Sequence, residues 1–129
     1  MLPAQYTYLS TLLAFGLVAL AASLLVARAS RVHIMRYARL LLLMAAASVL
    51  LTLAIEPPAL ESGAWAYGTN MTLGVRLLGS EMETLVYSVL MTLTASIVTI
   101  TVAEIEEKHR SRRARIAANR NQPARTTKM

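Results

Sequence analysis

EPPALESGAWAYGTNMTLGVRLLGSEMETLVY, residues Glu56 to Tyr87, separates two long apolar runs and holds four of the chain's seven carboxylates, its one Trp and an isolated Arg76. The runs on either side decide the fold, and this stretch decides where chemistry can sit. Acidic side chains at membrane depth are costly to keep, so they point to function when a partner can be named. Glu56 and Glu83 are the acids in question, and Arg76 is the candidate partner.

Composition sets the class. The 129 residues allow one domain, and 56% hydrophobic content with a mean hydropathy of +0.51 exceeds what a soluble domain of this size needs. An all-α integral membrane protein is expected. The absence of Cys excludes disulfides, iron–sulfur clusters and thiolate zinc sites from this chain. There is no Asp, and the two His residues lie near separate basic clusters, so no metal site is expected either. No residue pattern calls for a cofactor.

Three transmembrane helices follow from the apolar runs. Tyr6 to Ala27 carries no charged side chain over 22 residues, enough to cross a hydrocarbon core of roughly 30 Å. Ala19-Leu20-Ala21 resembles a signal-peptide cleavage site, but no basic residue precedes the run and it continues past Ala21, so a retained span is favoured. A short loop with Arg28, Arg31, Arg36 and Arg39 leads to the second run, Leu40 to Ile55. Glu56 closes it, and Pro57 and Pro58 are expected to halt the helix because neither has an amide hydrogen to donate. The third run is Thr84 to Ala103. The expected spans are thus about 6–27, 40–56 and 84–103 within a membrane domain of residues 1–107, followed by a basic tail at 108–129.

Between the second and third spans, Gly63, Gly68, Gly74 and Gly79 interrupt any regular element. Trp65 and Tyr67 suit the headgroup level, as anchors or as walls of a substrate site. TLGVRLL is too short to span and is expected to lie in the interface. Asn70-Met71-Thr72 matches the glycosylation sequon, a weak three-residue signal. In the third run, Thr84, Ser88, Thr92, Ser96, Thr99 and Ala103 recur at spacings of three and four and so share one helix face. Such a small, hydroxylated face is more readily a helix-packing seam than a polar conduit. Glu83 and Tyr87 stack four residues apart on another face.

The segment from Glu104, EIEEKHRSRRARIAANRNQPARTTKM, contains eight Lys and Arg residues without interleaved aromatics, so a nucleic-acid partner is not expected. Glu104, Glu106 and Glu107 are placed to pair with Lys108 and Arg110 along a helix. With three spans, twelve of the thirteen basic residues fall on one side, which the cytoplasmic excess of positive charge makes the inner one. The expected topology is a multi-pass protein of the cell membrane with the amino terminus outside, the carboxyl terminus cytoplasmic and the Glu56–Glu83 region outward.

The run GAWAYGTNMTLGVRLLGSEMETLVY resembles the signature of the lycopene cyclase domain family, small membrane carotenoid cyclases that occur as paired bacterial subunits or as fused chains. The matching features are Trp65 and Tyr67, then Thr72-Leu73-Gly74-Val75-Arg76-Leu77 with Gly79, then Glu83 opening a helix that carries Tyr87. Glu56, nine residues before Trp65, stands where the family ends its preceding helix with an acid. The likeness spans roughly residues 55–104 and extends elsewhere only in helix number and size. Two departures matter. Glu81 and Thr84 replace the Pro and the second acid of the family's Pro, any residue, Glu, Glu/Asp motif, and Ile55 stands at an expected Trp.

The resemblance implies a subunit of an isomerase-type enzyme of carotenoid biosynthesis that forms ionone-type rings on lycopene or a related linear carotenoid. Protonation of a terminal double bond gives a tertiary cation, the ring closes, and a proton is lost, with no net redox change. Carboxyl groups in differing environments can supply both acid and base, and apolar walls favour the neutral acid. On that resemblance Glu83 is expected as the proton donor and Glu56 as the base or cation stabiliser, with Arg76 holding the other carboxylate ionised. Trp65, Tyr67 and Tyr87 would support the site or bind substrate. Three helices cannot enclose a long polyene, so the implied partner is a homologous three-helix subunit in a heterodimer, with the carotenoid held in the bilayer. An alternative from another class is an accessory subunit of a cation or proton transporter, with Glu56 and Glu83 on an ion path. A structural assembly factor is a third.

Overall fold

A computed structural model describes residues 4–67 and 72–120. Three helices dominate it: α1 at Ala4–Ala29, α2 at Ala38–Glu61 and α3 at Met82–Arg120. A 3₁₀ turn at Ile34–Tyr37 joins α1 to α2, and a two-stranded antiparallel hairpin, β1 at Arg76–Leu77 and β2 at Ser80–Glu81, precedes α3. Each helix is long and apolar enough to cross a membrane. At 1.5 Å per residue, the 26, 24 and 39 residues of the helices give about 39, 36 and 58 Å.

The third helix organises the bundle. Both α1 and α2 pack along α3, whereas among the described residues they scarcely touch each other. At Gly16 α1 approaches α3 closely: a Cβ there would lie 2.8 Å from Leu90 Cδ1 and 3.3 Å from Leu90 Cβ. The buried apolar cluster is small, formed by Ala27, Val32 and Ile97 with Leu20, Ile34, Leu41 and Ile100 against it. Large apolar side chains such as Phe15, Val18, Leu42, Leu43 and Leu50 face outward. That inversion suits helices whose surroundings are as apolar as their core, where packing and polar contacts hold helices together. The hydroxyls of Ser88, Thr94, Thr99 and Thr101 donate to carbonyls three or four residues back in α3, so they are satisfied without an interhelical partner.

One end of the bundle is tied by polar contacts. Tyr37 donates to Glu104 Oε1 at 2.5 Å, and Lys108 Nζ donates to the Ser30 carbonyl at 3.3 Å. These bonds set the α1–α2 connection beside α3 just past Ala103. Lys108 also pairs with Glu104 at 4.0 Å, and Arg110 with Glu106 at 2.6 Å. Two acids of the cluster, Glu104 and Glu106, thus meet the bases expected for them.

Three boundaries differ from the sequence reading. First, α2 does not stop at Glu56 but runs through Pro57 and Pro58 to Glu61. Proline removes the donors that would reach Leu53 and Ala54, yet its fixed φ is helical, so one more turn forms beyond the pair. The turn closes with Ser62 N–H on the Pro58 carbonyl and Gly63 N–H on that of Leu60, Gly63 lying at φ 72°. Second, the apolar segment ending Arg76-Leu77-Leu78 supplies a hairpin strand and its turn. Third, α3 continues to Arg120, so most of the expected tail continues the third helix, about 26 Å beyond Ala103. The Asn70-Met71-Thr72 sequon lies largely outside the described residues.

Candidate functional site

The hairpin builds the site. Leu78 and Gly79 form its two-residue loop with φ of 53° and 91°, the left-handed pair of a type I′ turn, whose twist matches antiparallel strands. Gly79 rests on α2: a Cβ there would lie 3.2 Å from Pro57 Cβ and 3.3 Å from Pro57 Cγ. A side chain here would press on Pro57 and sit in a left-handed backbone conformation, φ 91°, so glycine suits the position on both counts. The contact seats the turn beside Glu56 and buries Ser80 and Glu81 completely or nearly so. Met82 N–H then bonds the Val75 carbonyl at 2.9 Å, and α3 begins at once.

Three carboxylates are buried here, Glu56 at 7% exposure, Glu81 at 2% and Glu83 at 3%. Each has one oxygen partnered. Glu56 Oε1 accepts from the Tyr67 hydroxyl. Glu83 Oε1 accepts from the Leu73 backbone N–H at 2.5 Å. Glu81 Oε1 accepts from Arg76 Nε at 2.7 Å, its cross-strand opposite in the hairpin. The second oxygen of all three is buried with no hydrogen-bond partner. Buried polar atoms are nearly always paired, so three such oxygens ask for a use.

Tyr67 joins two helices. Its hydroxyl also lies 2.6 Å from Thr84 Oγ1 on α3. A phenol has one proton to give, so when it donates to Glu56 the threonine must donate to it. If Glu56 instead donates, the order can reverse towards Thr84. The hydrogen bonds of the chain Thr84–Tyr67–Glu56 can therefore run in either direction without moving heavy atoms, and they reinforce one another at low dielectric.

A cleft of about 210 Å³ opens beside Glu56, walled by Leu51, Thr52, Ile55, Ala59, Trp65, Tyr67 and Thr84. Trp65 and Tyr67 meet edge to face, centroids 6.3 Å apart at 60°. Larger clefts of about 380 and 540 Å³ lie at the basic end of α3, but charged side chains rim them and no buried carboxylate faces in. Among the described residues, no three His, Cys, Asp or Glu side chains converge as a metal site would require.

Of the residues singled out by sequence, Glu56, Trp65 and Tyr67 come together on this cleft. Glu83 is buried one residue from Thr84 but is not on the cleft wall, and Tyr87 is part-exposed away from it. Arg76 corrects the sequence reading: it binds Glu81, not Glu56 or Glu83, because the hairpin register sets positions 76 and 81 opposite each other. Sequence reasoning missed Glu81 as a buried partner and Thr84 as a bridge. A signal existed for Glu81, since two residues flanking Leu77-Leu78-Gly79-Ser80 face across a two-residue turn. No protein-family model, characterised protein sequence or solved structure matches this chain.

Proposed function

We propose that this chain is one subunit of a membrane carotenoid cyclase, closing ionone-type rings on lycopene or a related linear carotenoid by acid-initiated, redox-neutral isomerisation. The observation that carries the reading is Glu56, a buried carboxyl on the wall of an apolar cleft, held through one oxygen by Tyr67 while the other is unpaired. A proton on Glu56 Oε2 would pass to the terminal double bond of the polyene. The Tyr67 hydroxyl, already on Oε1, stabilises the carboxylate left behind, since hydrogen bonds to ionised acceptors are the stronger ones. The tertiary cation is closed by the neighbouring double bond, and a carboxylate takes up the proton released.

Position on the cleft favours Glu56 for the donor role that the family likeness gives to Glu83. Glu83 then takes the base or cation-stabilising role expected of Glu56, reaching the reacting carbons across surface completed by a homologous three-helix partner. The test is co-expression with the neighbouring gene in a lycopene-making host, read by pigment retention. Glu56→Gln and Glu83→Gln should each leave linear pigment accumulating, because loss of general acid–base help costs about two to four orders of magnitude. Wild-type ring formation by Glu56→Gln at normal abundance would refute the assignment.

The same reading places the amino terminus outside and the carboxyl terminus in the cytoplasm. The bonds from Lys108 and Glu104 to the α1–α2 connection support it, since they gather the loop arginines and the α3 extension at one end. Glu56 and Tyr67 are at the other. Reporter fusions after Gly68 and after Lys128 should report opposite compartments, and two cytoplasmic signals would overturn the topology. The Thr84–Tyr67–Glu56 chain of protons also suits an accessory subunit of a proton transporter. That alternative predicts altered salt or pH tolerance in the host with unchanged pigment.

A further inference from the structure

We infer that the corner between α1 and the 3₁₀ turn is a binding site for the headgroup of an anionic phospholipid. A cleft of about 540 Å³ lies there, lined by Leu24, Arg28, Arg31, Val32, His33 and Ile34. Leu24, Val32 and Ile34 give it an apolar side, and Arg28, Arg31 and His33 a basic rim without an acid. Among the described residues, the Arg28 and Arg31 side chains have no ion pair or hydrogen bond. The cleft sits at the end of the apolar stretch Leu9–Ala29, the depth at which acyl chains give way to phosphates. Its occupant therefore needs an apolar tail beside Leu24 and an anionic head beyond Ala29. A phospholipid with net negative charge has both.

The backbone adds a second observation. α1 ends with Val32 N–H on the Ala27 carbonyl at 2.9 Å and Arg31 N–H on the Arg28 carbonyl at 3.0 Å. This is the Schellman arrangement, whose left-handed position is usually Gly. Here it is Arg31, at φ 54°. A side chain in that conformation is strained, and strain held at a residue whose backbone is bonded, its carbonyl to Lys108 Nζ at 3.5 Å, but whose guanidinium is not, points to a use for that guanidinium. The left-handed turn folds Val32 back into the buried cluster with Ala27 and leaves Arg31 on the cleft rim beside Arg28, whose charge is also favoured at a helix carboxyl end. The nearby acid Glu104 is already engaged by Tyr37 and Lys108, so it does not compete for these arginines.

The full chain, purified in neutral detergent, is titrated with phosphatidylglycerol and with phosphatidylcholine, and retained lipid is counted by native mass spectrometry. Phosphatidylglycerol should be retained in preference to phosphatidylcholine. Each of Arg28→Gln and Arg31→Gly should weaken that retention about fivefold. Arg31→Gly also separates binding from folding, because Gly suits the left-handed position and should leave the melting temperature equal or higher. Equal retention of the two lipids would overturn the inference, as would unchanged retention in the Arg28→Gln, Arg31→Gly double variant. So would a loss produced only by Arg112→Gln with Arg115→Gln, which would move the site to the α3 extension. Displacement of the lipid by inorganic phosphate alone would assign the arginines to a free anion instead.

Discussion

Replacing Tyr67 with Phe removes one oxygen and leaves the ring in place. That oxygen lies between Glu56 Oε1 and Thr84 Oγ1, and Glu56 Oε2 is already buried without a partner. The Tyr67→Phe change would thus strand the whole Glu56 carboxyl, at about 1–3 kcal/mol for an acceptor left unsatisfied in a buried site. Because the hydroxyl bridges α2 and α3, the loss should appear in unfolding of the purified chain in mixed micelles. A double-mutant cycle isolates the contact. If Tyr67 and Glu56 bond as described, Tyr67→Phe and Glu56→Gln should couple by about 0.5–3 kcal/mol. In the cyclisation assay, Tyr67→Phe should reduce ring formation less than Glu56→Gln does, since it removes a stabiliser of the carboxylate and not the proton itself. Penalties that add to within about 0.3–0.5 kcal/mol would show that the two side chains do not meet, and the Thr84–Tyr67–Glu56 chain would fall with them.

Two further substitutions test the scaffold. Leu78→Gly should stabilise the chain by up to about 1 kcal/mol, because Leu78 is largely exposed and held at φ 53° where Gly is unstrained; a lower melting temperature would argue against the type I′ turn. Gly16→Leu should cost about 1–3 kcal/mol through overpacking, since even a Cβ would press Leu90 Cδ1 at 2.8 Å. Leu90→Ala should restore part of that loss, and purely additive penalties would place the α1–α3 crossing elsewhere.

The helices were legible because each apolar run is long and uncharged, and length alone separates a span from a buried segment. Their ends were less so. The Pro57-Pro58 pair reads as a stop in local terms, yet both prolines can enter a helix that gives up two carbonyl partners, and the extra turn is what Gly79 packs against. The α3 extension was hidden by its charges: from Glu106 onward it is exposed on all sides, and its i, i+4 pairs signal helix without indicating where it ends. At the site, residue types pointed to Glu56, Trp65 and Tyr67, which share one cleft, but partners were set by register. Arg76 could have met any of three acids by charge alone. The hairpin gave it Glu81, and with that Glu83 passed to the Leu73 amide.

The geometry also bears on why a second chain is needed for the reaction proposed. A cleft of about 210 Å³ suits one end of a long polyene, not its length. Leu51 and Ile55 form part of its wall, and with Leu40 and Met44 they fall on one face of α2, all four side chains exposed. The rest of the substrate would lie along this stripe, from the acid end of the bundle towards the basic end. Among the described residues nothing covers it: α1 packs on α3, leaving that side of α2 free. Glu83 is in the same position, its free oxygen buried but not on the cleft. A homologous subunit laid against this face would roof the polyene and extend the cleft towards Glu83, so that one addition completes the wall and brings this chain's second carboxylate to the substrate.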